Sequence, residues 1–344
     1  MRMGYIQKTE WKRLDDTLRP LIKKTLYLPK SATSGYIYGS PQTGACGVPH
    51  AAELSDICRI DTAYKLLTSP DQTVADLASA ALMTSAVKRS RNEDFAPELA
   101  AYLSGEGGVF EGPSRGIKNI WTEARKASKR NSITWEFRPE GPELTTGDTT
   151  INAMQRNKVV STLRRKLTAT RDDHLQSLPN QGKVLECVAL DRSSTHFMRT
   201  GMFTRFADWR FIHRARLNLL RLNAARPWEQ GYKRCRRCGA ELETLPHVAN
   251  HCMRYSALYT ARHNKIVRWI RQAAEARYTV FSENQAIGDT GLRPDLVVAR
   301  GEEAIVYDAT VVFDNRQEAF RNARAEKEQK YSVVRITCDK GFSG

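Results

Sequence analysis

Residues 235–252 read Cys-Arg-Arg-Cys-Gly-Ala-Glu-Leu-Glu-Thr-Leu-Pro-His-Val-Ala-Asn-His-Cys, and the rest of the chain is interpreted around this stretch. Cys235 and Cys238 are separated by two residues, His247 follows after eight more, and Cys252 follows after another four. Thiolates and an imidazole in this order are typical of a closed tetrahedral Cys3His zinc site. Four protein ligands leave no position for a reacting water, so the pattern predicts a structural zinc ion.

This stretch has two other interpretations. The cysteines could be incidental thiols of a loop, but four suitable ligands within eighteen residues make that the weaker interpretation. His251 could replace His247 as the nitrogen ligand, although it would crowd against the adjacent Cys252. The sequence therefore favours His247.

The charge of the chain predicts a polyanionic partner. The 344 residues carry a formal net charge of +16, the pI is near 9.6, and the 41% apolar content supports two or three hydrophobic cores. Residues 201–270 hold 14 Lys and Arg against 4 Asp and Glu, whereas residues 271–344 hold 11 against 12. Positive charge focused around the zinc motif is typical of contacts to nucleic-acid phosphates and argues against a neutral small-molecule substrate.

The remaining cysteines and the hydropathy pattern predict the compartment. Cys46, Cys58, Cys187 and Cys338 are widely scattered, which fits a reducing environment and not a disulfide framework. No apolar run approaches the length of a membrane helix, and no hydrophobic signal core is present at the start. We therefore expect a soluble intracellular protein without a membrane partner, nuclear in a eukaryotic host.

The first 200 residues predict a mainly helical region. Helical periodicity covers residues 11–28, 51–67 and 74–87, Tyr36–Tyr38 suggests a short strand, and a boundary is expected near residue 112. A short basic helix is predicted from 117 to 130, a flexible Gly/Pro-rich stretch over 138–150, and a longer basic helix over 152–178. Four acids are expected on solvated helix faces: Asp15, Asp16, Asp56 and Asp61.

Residues 203–222 predict a helix in which aromatic residues alternate with arginines. Aromatics in such a pattern are more often core residues than base-stacking groups, so Trp209 is assigned to the core. The cations are predicted to contact nucleic acid. They are Arg205, Arg210, Arg214, Arg216 and Arg221 in the helix, with Arg234, Arg236 and Arg237 in the zinc motif.

Beyond the zinc motif the hydrophobic period changes from helical to extended. A helix is predicted over 258–274, then strands over 278–281, 296–299 and 304–313, a helix over 316–330 and a last strand over 333–337. This order predicts an α/β unit with a mixed sheet. The whole chain is therefore predicted to be a multidomain α+β protein.

A second group of candidate residues lies in this unit. If two of the strands form a hairpin through residues 300–303, Asp295 and Asp308 approach one point at a strand end. Two such carboxylates could bind Mg²⁺ or Mn²⁺ for phosphodiester chemistry, and Lys327 and Lys330, three residues apart on one helix, could orient a water or stabilise charge. The alternative, a turn residue, a strand-edge charge and solvated lysines, stays open from the residues alone.

Together these motifs resemble the C-terminal part of the site-specific non-LTR retrotransposon proteins of the R-two clade, which insert into ribosomal RNA genes. The similar segments are Leu14-Asp15 through Leu28-Pro29 and Gly44 through Pro49, then Cys235, Cys238, His247 and Cys252 followed by Arg262-His263-Asn264, and finally Arg293-Pro294-Asp295, Asp308 and Lys327-x-x-Lys330-Tyr331. The resemblance implies four regions: a reverse-transcriptase thumb over 1–112, a basic linker over 113–225, a zinc knuckle over 226–265 and a PD-(D/E)xK-type endonuclease over 266–344.

The resemblance also implies a function. Proteins of this family nick target DNA and then reverse-transcribe their own RNA from the nick. In this chain the resemblance implies Asp295 and Asp308 as metal ligands, with the catalytic lysine supplied by Lys327 or Lys330. Glu275 or Glu283 is a possible third carboxylate. The expected partners are target DNA, with a ribosomal RNA gene as the site, and element RNA.

The chain departs from this family in two ways. It contains no Tyr-x-Asp-Asp polymerase motif, so it is expected to be a fragment that does not polymerise DNA, and its endonuclease is expected to be truncated at the C-terminus. The alternative function is a non-catalytic, zinc-stabilised nucleic-acid-binding module.

Overall fold

The computed structural model describes residues 6–90, 98–111, 118–199, 202, 204–225, 228, 230–301 and 303–341. Ile117, Phe203 and Glu302, which bound or belong to predicted elements, lie outside these residues. The chain forms two compact units. The first holds the residues up to Leu26 with Thr33–Pro41 and Ala45–Leu175, and the second holds Tyr27–Ala32, Gln42–Gly44 and the chain from Gln176 onward.

The first unit is built from seven helices and one sheet among its described residues. The helices are α1 (Lys8–Thr25), α2 (Ser34–Tyr38), α3 (Ala51–Leu67), α4 (Gln72–Val87), α5 (Leu99–Ser104), α6 (Ile120–Arg130) and α7 (Val159–Ser177). Most predicted helices are therefore confirmed, and Asp71 caps α4 by accepting from the Thr73 amide at 2.9 Å. The predicted strand at Tyr36–Tyr38 is wrong, because the Gly39 amide donates to the Gly35 carbonyl at 2.8 Å and closes a helical turn.

The stretch predicted to be flexible is an antiparallel sheet. Its strands are β1 (Thr134–Arg138), β2 (Gly141–Thr146) and β3 (Thr149–Ile151). Trp135, Leu144 and Ile151 lie in register across the three strands and are all buried. The Trp135 indole donates to Ser128 Oγ at 2.8 Å, and the Tyr64 hydroxyl donates to the carbonyl of Pro142 at 2.9 Å. Burial of these large side chains fixes the segment.

The core of the first unit extends across the predicted boundary at residue 112. It joins Ile60 and Tyr64 of α3 with Trp121 of α6 and Leu163 of α7. The compact units divide near Leu175 instead, and the division of the chain into four functional regions stays a prediction.

Three of the four acids expected on solvated faces are buried in the first unit. Asp15 accepts from the Ala51 and Ala52 amides at 2.9 Å and so caps α3. Asp56 and Asp61 are fully buried; Arg130 Nε donates to Asp56 at 3.0 Å, and Lys65 pairs with Asp61 at 3.0 Å. The solvated interpretation is therefore wrong for these acids, because cations and helix amides compensate their buried charge.

The second unit contains α8 (Lys183–Val188), α9 (His196–Arg199), α10 (Phe206–Arg216), α11 (Ser256–Glu275), β4 (Thr279–Glu283), β5 (Leu296–Arg300), β6 (Glu303–Tyr307) and α12 (Arg316–Gly341). The predicted hairpin is confirmed, with Arg300 opposite Glu303 and Leu296 opposite Tyr307. The sheet has the order β4-β5-β6 and is antiparallel throughout, so the predicted mixed sheet is wrong. Its core packs Leu296 and Val298 against Ala274 of α11.

Two of the strands predicted for this unit differ from the structure. β6 stops at Tyr307 and does not run on to Phe313. The strand predicted over 333–337 is instead the continuation of α12, because no glycine or proline interrupts the chain between Arg316 and Lys340 and the helix propagates through the β-branched residues. None of the helices in the described ranges is long and apolar enough to cross a membrane.

Candidate functional site

The four predicted zinc ligands form one cluster in the second unit. Their ligand atoms all lie within 4.8 Å of one another, with Cys235 Sγ 3.9 Å from Cys252 Sγ and Cys238 Sγ 3.4 Å from His247 Nε2. A tetrahedral zinc ion needs about 3.8 Å between sulfur ligands and about 3.5 Å between sulfur and nitrogen. The donor set therefore fits zinc. His251 is exposed and outside the cluster, which resolves the choice in favour of His247.

The backbone around the cluster explains this arrangement. A tight hairpin carries the first two ligands: the Cys235 amide donates to the Glu241 carbonyl at 2.7 Å and the Gly239 amide to the Cys235 carbonyl at 2.8 Å. Gly239 has a φ of +71°, a conformation that side chains disfavour. A π-helical turn over His247–His251 carries the other two, closed by the Cys252 amide on the His247 carbonyl at 2.8 Å.

The electrostatics of the cluster favour a metal-binding thiolate at Cys238. Backbone hydrogen bonds from Glu241 and Ala240 lower the pKa of Cys238 to about 6, whereas burial raises the pKa of Cys252. A thiol whose pKa is lowered in this way is largely deprotonated at neutral pH, as a zinc ligand must be.

A buried acid supports the zinc hairpin. Glu243 accepts from the Arg236 amide at 3.0 Å, from Arg236 Nε at 2.9 Å and from the Asn223 amide at 2.8 Å. The hydrogen bond from the Arg236 side chain, together with these backbone amides, lowers the pKa of Glu243 to about 2, although burial raises it. Arg236 is thus an internal partner of the knuckle, and Glu243 is a structural residue that sequence reasoning missed.

The predicted acid pair lies at the end of the β5–β6 hairpin. Leu296 pairs with Tyr307, so the next residues outward, Asp295 and Asp308, leave the ladder side by side. Asp295 Oδ2 accepts from the Ala309 amide at 2.7 Å and lies 3.2 Å from His263 Nε2. The structure therefore brings both acids to one place, as the hairpin predicted.

Both predicted lysines also reach this place from α12. Lys327 Nζ donates to Asp308 Oδ1 at 2.6 Å, and Lys330 Nζ lies 3.9 Å from Asp308 Oδ2. The Tyr331 hydroxyl donates to the same Oδ2, and burial followed by this hydrogen bond raises the pKa of Tyr331. His263 and Tyr331 had no predicted role, although both stand in the segments that carry the family resemblance.

The possible third carboxylates are held elsewhere. Arg271 binds Glu275 through Nε at 2.8 Å and Glu283 through Nη1 at 2.5 Å. Among the residues that the structure describes, the zinc cluster is the one group of three or more His, Cys, Asp or Glu side chains placed to hold a metal. Neither Glu275 nor Glu283 joins the acid pair.

One predicted nucleic-acid contact on α10 is buried. Arg216 is 7% exposed and its guanidinium donates to the Ser194 carbonyl at 2.6 Å, so Arg216 is corrected to a core residue. Three other predicted arginines have partners within the chain. Arg205, the exposed residue before α10, pairs with Asp208; Arg210 lies over the Phe206 ring, and Arg214 donates to the Tyr27 carbonyl.

The arginines around the zinc hairpin are exposed but partly engaged. Arg234 donates to the Ala240 carbonyl, and Arg237 Nε donates to the Tyr255 hydroxyl at 3.1 Å. Arg221 is exposed, and its carbonyl accepts from Arg236 at 2.8 Å. Their contact with nucleic acid stays a prediction.

An exposed stripe on α11 combines cations with an aromatic residue, which is the pattern predicted for residues 203–222. Leu258, Arg262, Lys265 and Trp269 recur at helical spacing and are all exposed, and Lys265 Nζ lies 5.0 Å from the Trp269 ring centre. No acid occurs from residue 244 to residue 274. We call these four residues the α11 stripe. The sequence showed this spacing, but only the structure shows which face of the helix is free.

Comparisons with known proteins add a relationship. No family model matches the chain. Over 307 residues it is 25% identical to the Retrovirus-related Pol polyprotein from type-1 retrotransposable element R2 of Popillia japonica; the match covers 88% of the chain and 50% of that protein. The chain therefore spans about half the length of the relative it matches. This similarity supports a relationship of the chain to non-LTR retrotransposon polyproteins.

Proposed function

We propose that the chain is part of a site-specific retrotransposon polyprotein of the R-two clade and that its second unit nicks target DNA. The observation that carries this proposal is the meeting of Asp295, Asp308 and Lys327 at one end of the β5–β6 hairpin. Carboxylates beside a lysine, in a chain similar to a retrotransposon Pol polyprotein, are suited to phosphodiester hydrolysis. In this proposal the second unit is the PD-(D/E)xK-type endonuclease of a nuclear protein.

The residues at the hairpin end fit a hard divalent cation. Asp295, Asp308 and the Ala309 carbonyl supply oxygen donors, and one or two carboxylates are what Mg²⁺ takes from protein sites. When bound there, Mg²⁺ or Mn²⁺ would neutralise charge on the phosphate and activate a water.

The side chains of this site have separate tasks in the proposal. Asp308 holds the Lys327 ammonium at 2.6 Å, which places a fixed positive charge beside the reacting phosphate. Lys327 can also orient a water for in-line attack, and Lys330 adds a second cation. His263 and the Ala309 amide fix the Asp295 carboxylate.

A nicking assay tests this proposal. The chain, and the longer polyprotein, would be incubated with DNA carrying a ribosomal RNA gene target in Mg²⁺. Asp295→Asn and Lys327→Met are expected to lower cleavage at least about 100-fold, as loss of a group acting on transition-state charge does. Asp289→Asn, an exposed acid of the same unit, is the matched control. Equal cleavage by all variants would refute the assignment.

A second candidate function is a zinc-stabilised nucleic-acid-binding module without catalysis. The α11 stripe favours it, because an exposed tryptophan between cations suits unpaired bases and phosphates. This candidate predicts steeply salt-dependent binding and no cleavage in Mg²⁺. Element RNA and target DNA would both be ligands of such a surface.

A further inference from the structure

Hydrogen bonds join the zinc knuckle to the segment that follows the acid pair. Asn250 lies in the π-helical turn between the ligands His247 and Cys252. Its Nδ2 donates to the Val311 carbonyl at 3.1 Å, and its Oδ1 accepts from Arg262 Nη2 at 3.0 Å. Asn250 thus bridges the knuckle, α11 and the chain beyond β6.

The same segment is held a second time, two residues earlier. Ala309 donates its amide to Asp295 Oδ2 at 2.7 Å, and its carbonyl lies 3.2 Å from His263 Nε2. His263 follows Arg262 on α11, so both bridges start from adjacent residues of one helix. Residues 308–314 have no helix or strand of their own. The position of Ala309, and through it of Asp295, therefore depends on these side-chain contacts.

We infer that Asn250 is a positioning residue through which the zinc knuckle orders the acid pair. Zinc bound by the cluster would hold both ends of the π-helical turn, because His247 and Cys252 are two of its four candidate ligands and the Cys252 amide closes the turn on the His247 carbonyl. An ordered turn places the Asn250 amide against Val311, and this contact restrains residues 309–311. Only the consequence for cleavage rests on the proposed function; the coupling itself is a property of the fold.

The test is local hydrogen exchange in the 344-residue chain. Asn250→Asp keeps an acceptor for Arg262 but removes the donor to Val311. Loss of one hydrogen bond, with a net value near 1 kcal/mol, predicts about fivefold faster exchange of the Ala309 amide. Zinc content, the melting temperature and exchange at Val298, in the centre of the sheet, should not change. Gln272→Glu, an exposed amide-to-acid change on α11, is the matched control and should have no effect.

Zinc removal and a second variant test whether the zinc knuckle acts on Ala309 through Asn250. Chelation of zinc should accelerate exchange at Ala309 in the native chain but add little in Asn250→Asp, because the connection is already broken. His263→Phe breaks the other bridge and should also raise exchange at Ala309 with zinc retained. Unchanged exchange at Ala309 in Asn250→Asp, or full additivity of the variant and chelation, would overturn the inference.

Cleavage kinetics separate this inference from the proposed function. A positioning role predicts that Asn250→Asp lowers kcat about fivefold; a change confined to the KM for DNA would overturn it and point instead to Arg262, the partner of Asn250 in the α11 stripe. Faster exchange at Ala309 without cleavage by any form would leave the coupling intact and refute the nuclease. Cleavage by the native chain, together with native exchange at Ala309 in Asn250→Asp, would leave the nuclease intact and refute the coupling.

Discussion

The buried carboxylate of Glu243 offers a sharp test of the zinc knuckle. Only 4% of this side chain is exposed, and it accepts hydrogen bonds from the Asn223 amide and from the amide and side chain of Arg236 in the range 2.8–3.0 Å. Glu243→Gln keeps the shape but removes the charge and one acceptor oxygen. Hydrogen bonds to charged groups contribute about 1.5–3 kcal/mol each, so a loss of about 3 kcal/mol is expected for the knuckle.

The assay is zinc affinity measured by competition with a chelator. Because the ligand geometry depends on the hairpin, about 3 kcal/mol corresponds to roughly 100-fold weaker zinc binding. Glu241→Gln, an exposed acid of the same hairpin, is the control and should bind zinc as the native chain does. Equal zinc affinities for Glu243→Gln and Glu241→Gln would refute the reasoning.

Three further predictions concern the two units. Asp56→Asn leaves Arg130 and Lys8 without their buried carboxylate and should destabilise the first unit by about 3–5 kcal/mol in denaturant unfolding; a loss below 1 kcal/mol would contradict it. Burial lowers the pKa of His213 from 6.5 to about 4, so unfolding takes up a proton between these values and stability falls as the pH falls through that window; His213→Phe should flatten this dependence by about 3 kcal/mol. Trp269→Ala should weaken single-stranded DNA binding by about 1–3 kcal/mol and duplex binding less, by fluorescence anisotropy; equal losses would argue against stacking.

The zinc site was predictable because its information is local. The candidate ligands lie within the eighteen residues from Cys235 to Cys252, and their order predicts zinc before any tertiary contact is known. The acid pair was predictable for a similar reason, since one short hairpin brings Asp295 beside Asp308. The sequence already favoured His247 over His251, and the ligand cluster of the structure contains His247.

Two of the errors concern contacts that are distant in the sequence or made across strands. Asp56 pairs with Lys8 and Arg130, which are 48 and 74 residues away. The sequence of its own helix does not show these cations and therefore predicts a solvated position for Asp56. Trp135 orders the Gly/Pro-rich stretch through cross-strand contacts and a hydrogen bond to Ser128, although the glycines and prolines of the stretch favour turns. At the other end, the β-branched run at 333–337 follows a helix already formed, and propagation outweighs local propensity.

The most direct measurement is the single-turnover nicking rate as a function of Mg²⁺ concentration, for the native chain and for Asp308→Asn, with zinc content checked in both. Asp308 lies where Lys327, Lys330 and Tyr331 converge, so the variant removes the charge at the centre of the site. The proposed function predicts Mg²⁺-dependent nicking by the native chain and a rate at least about 100-fold lower for the variant. Equal rates in the two proteins, each retaining zinc, would contradict it.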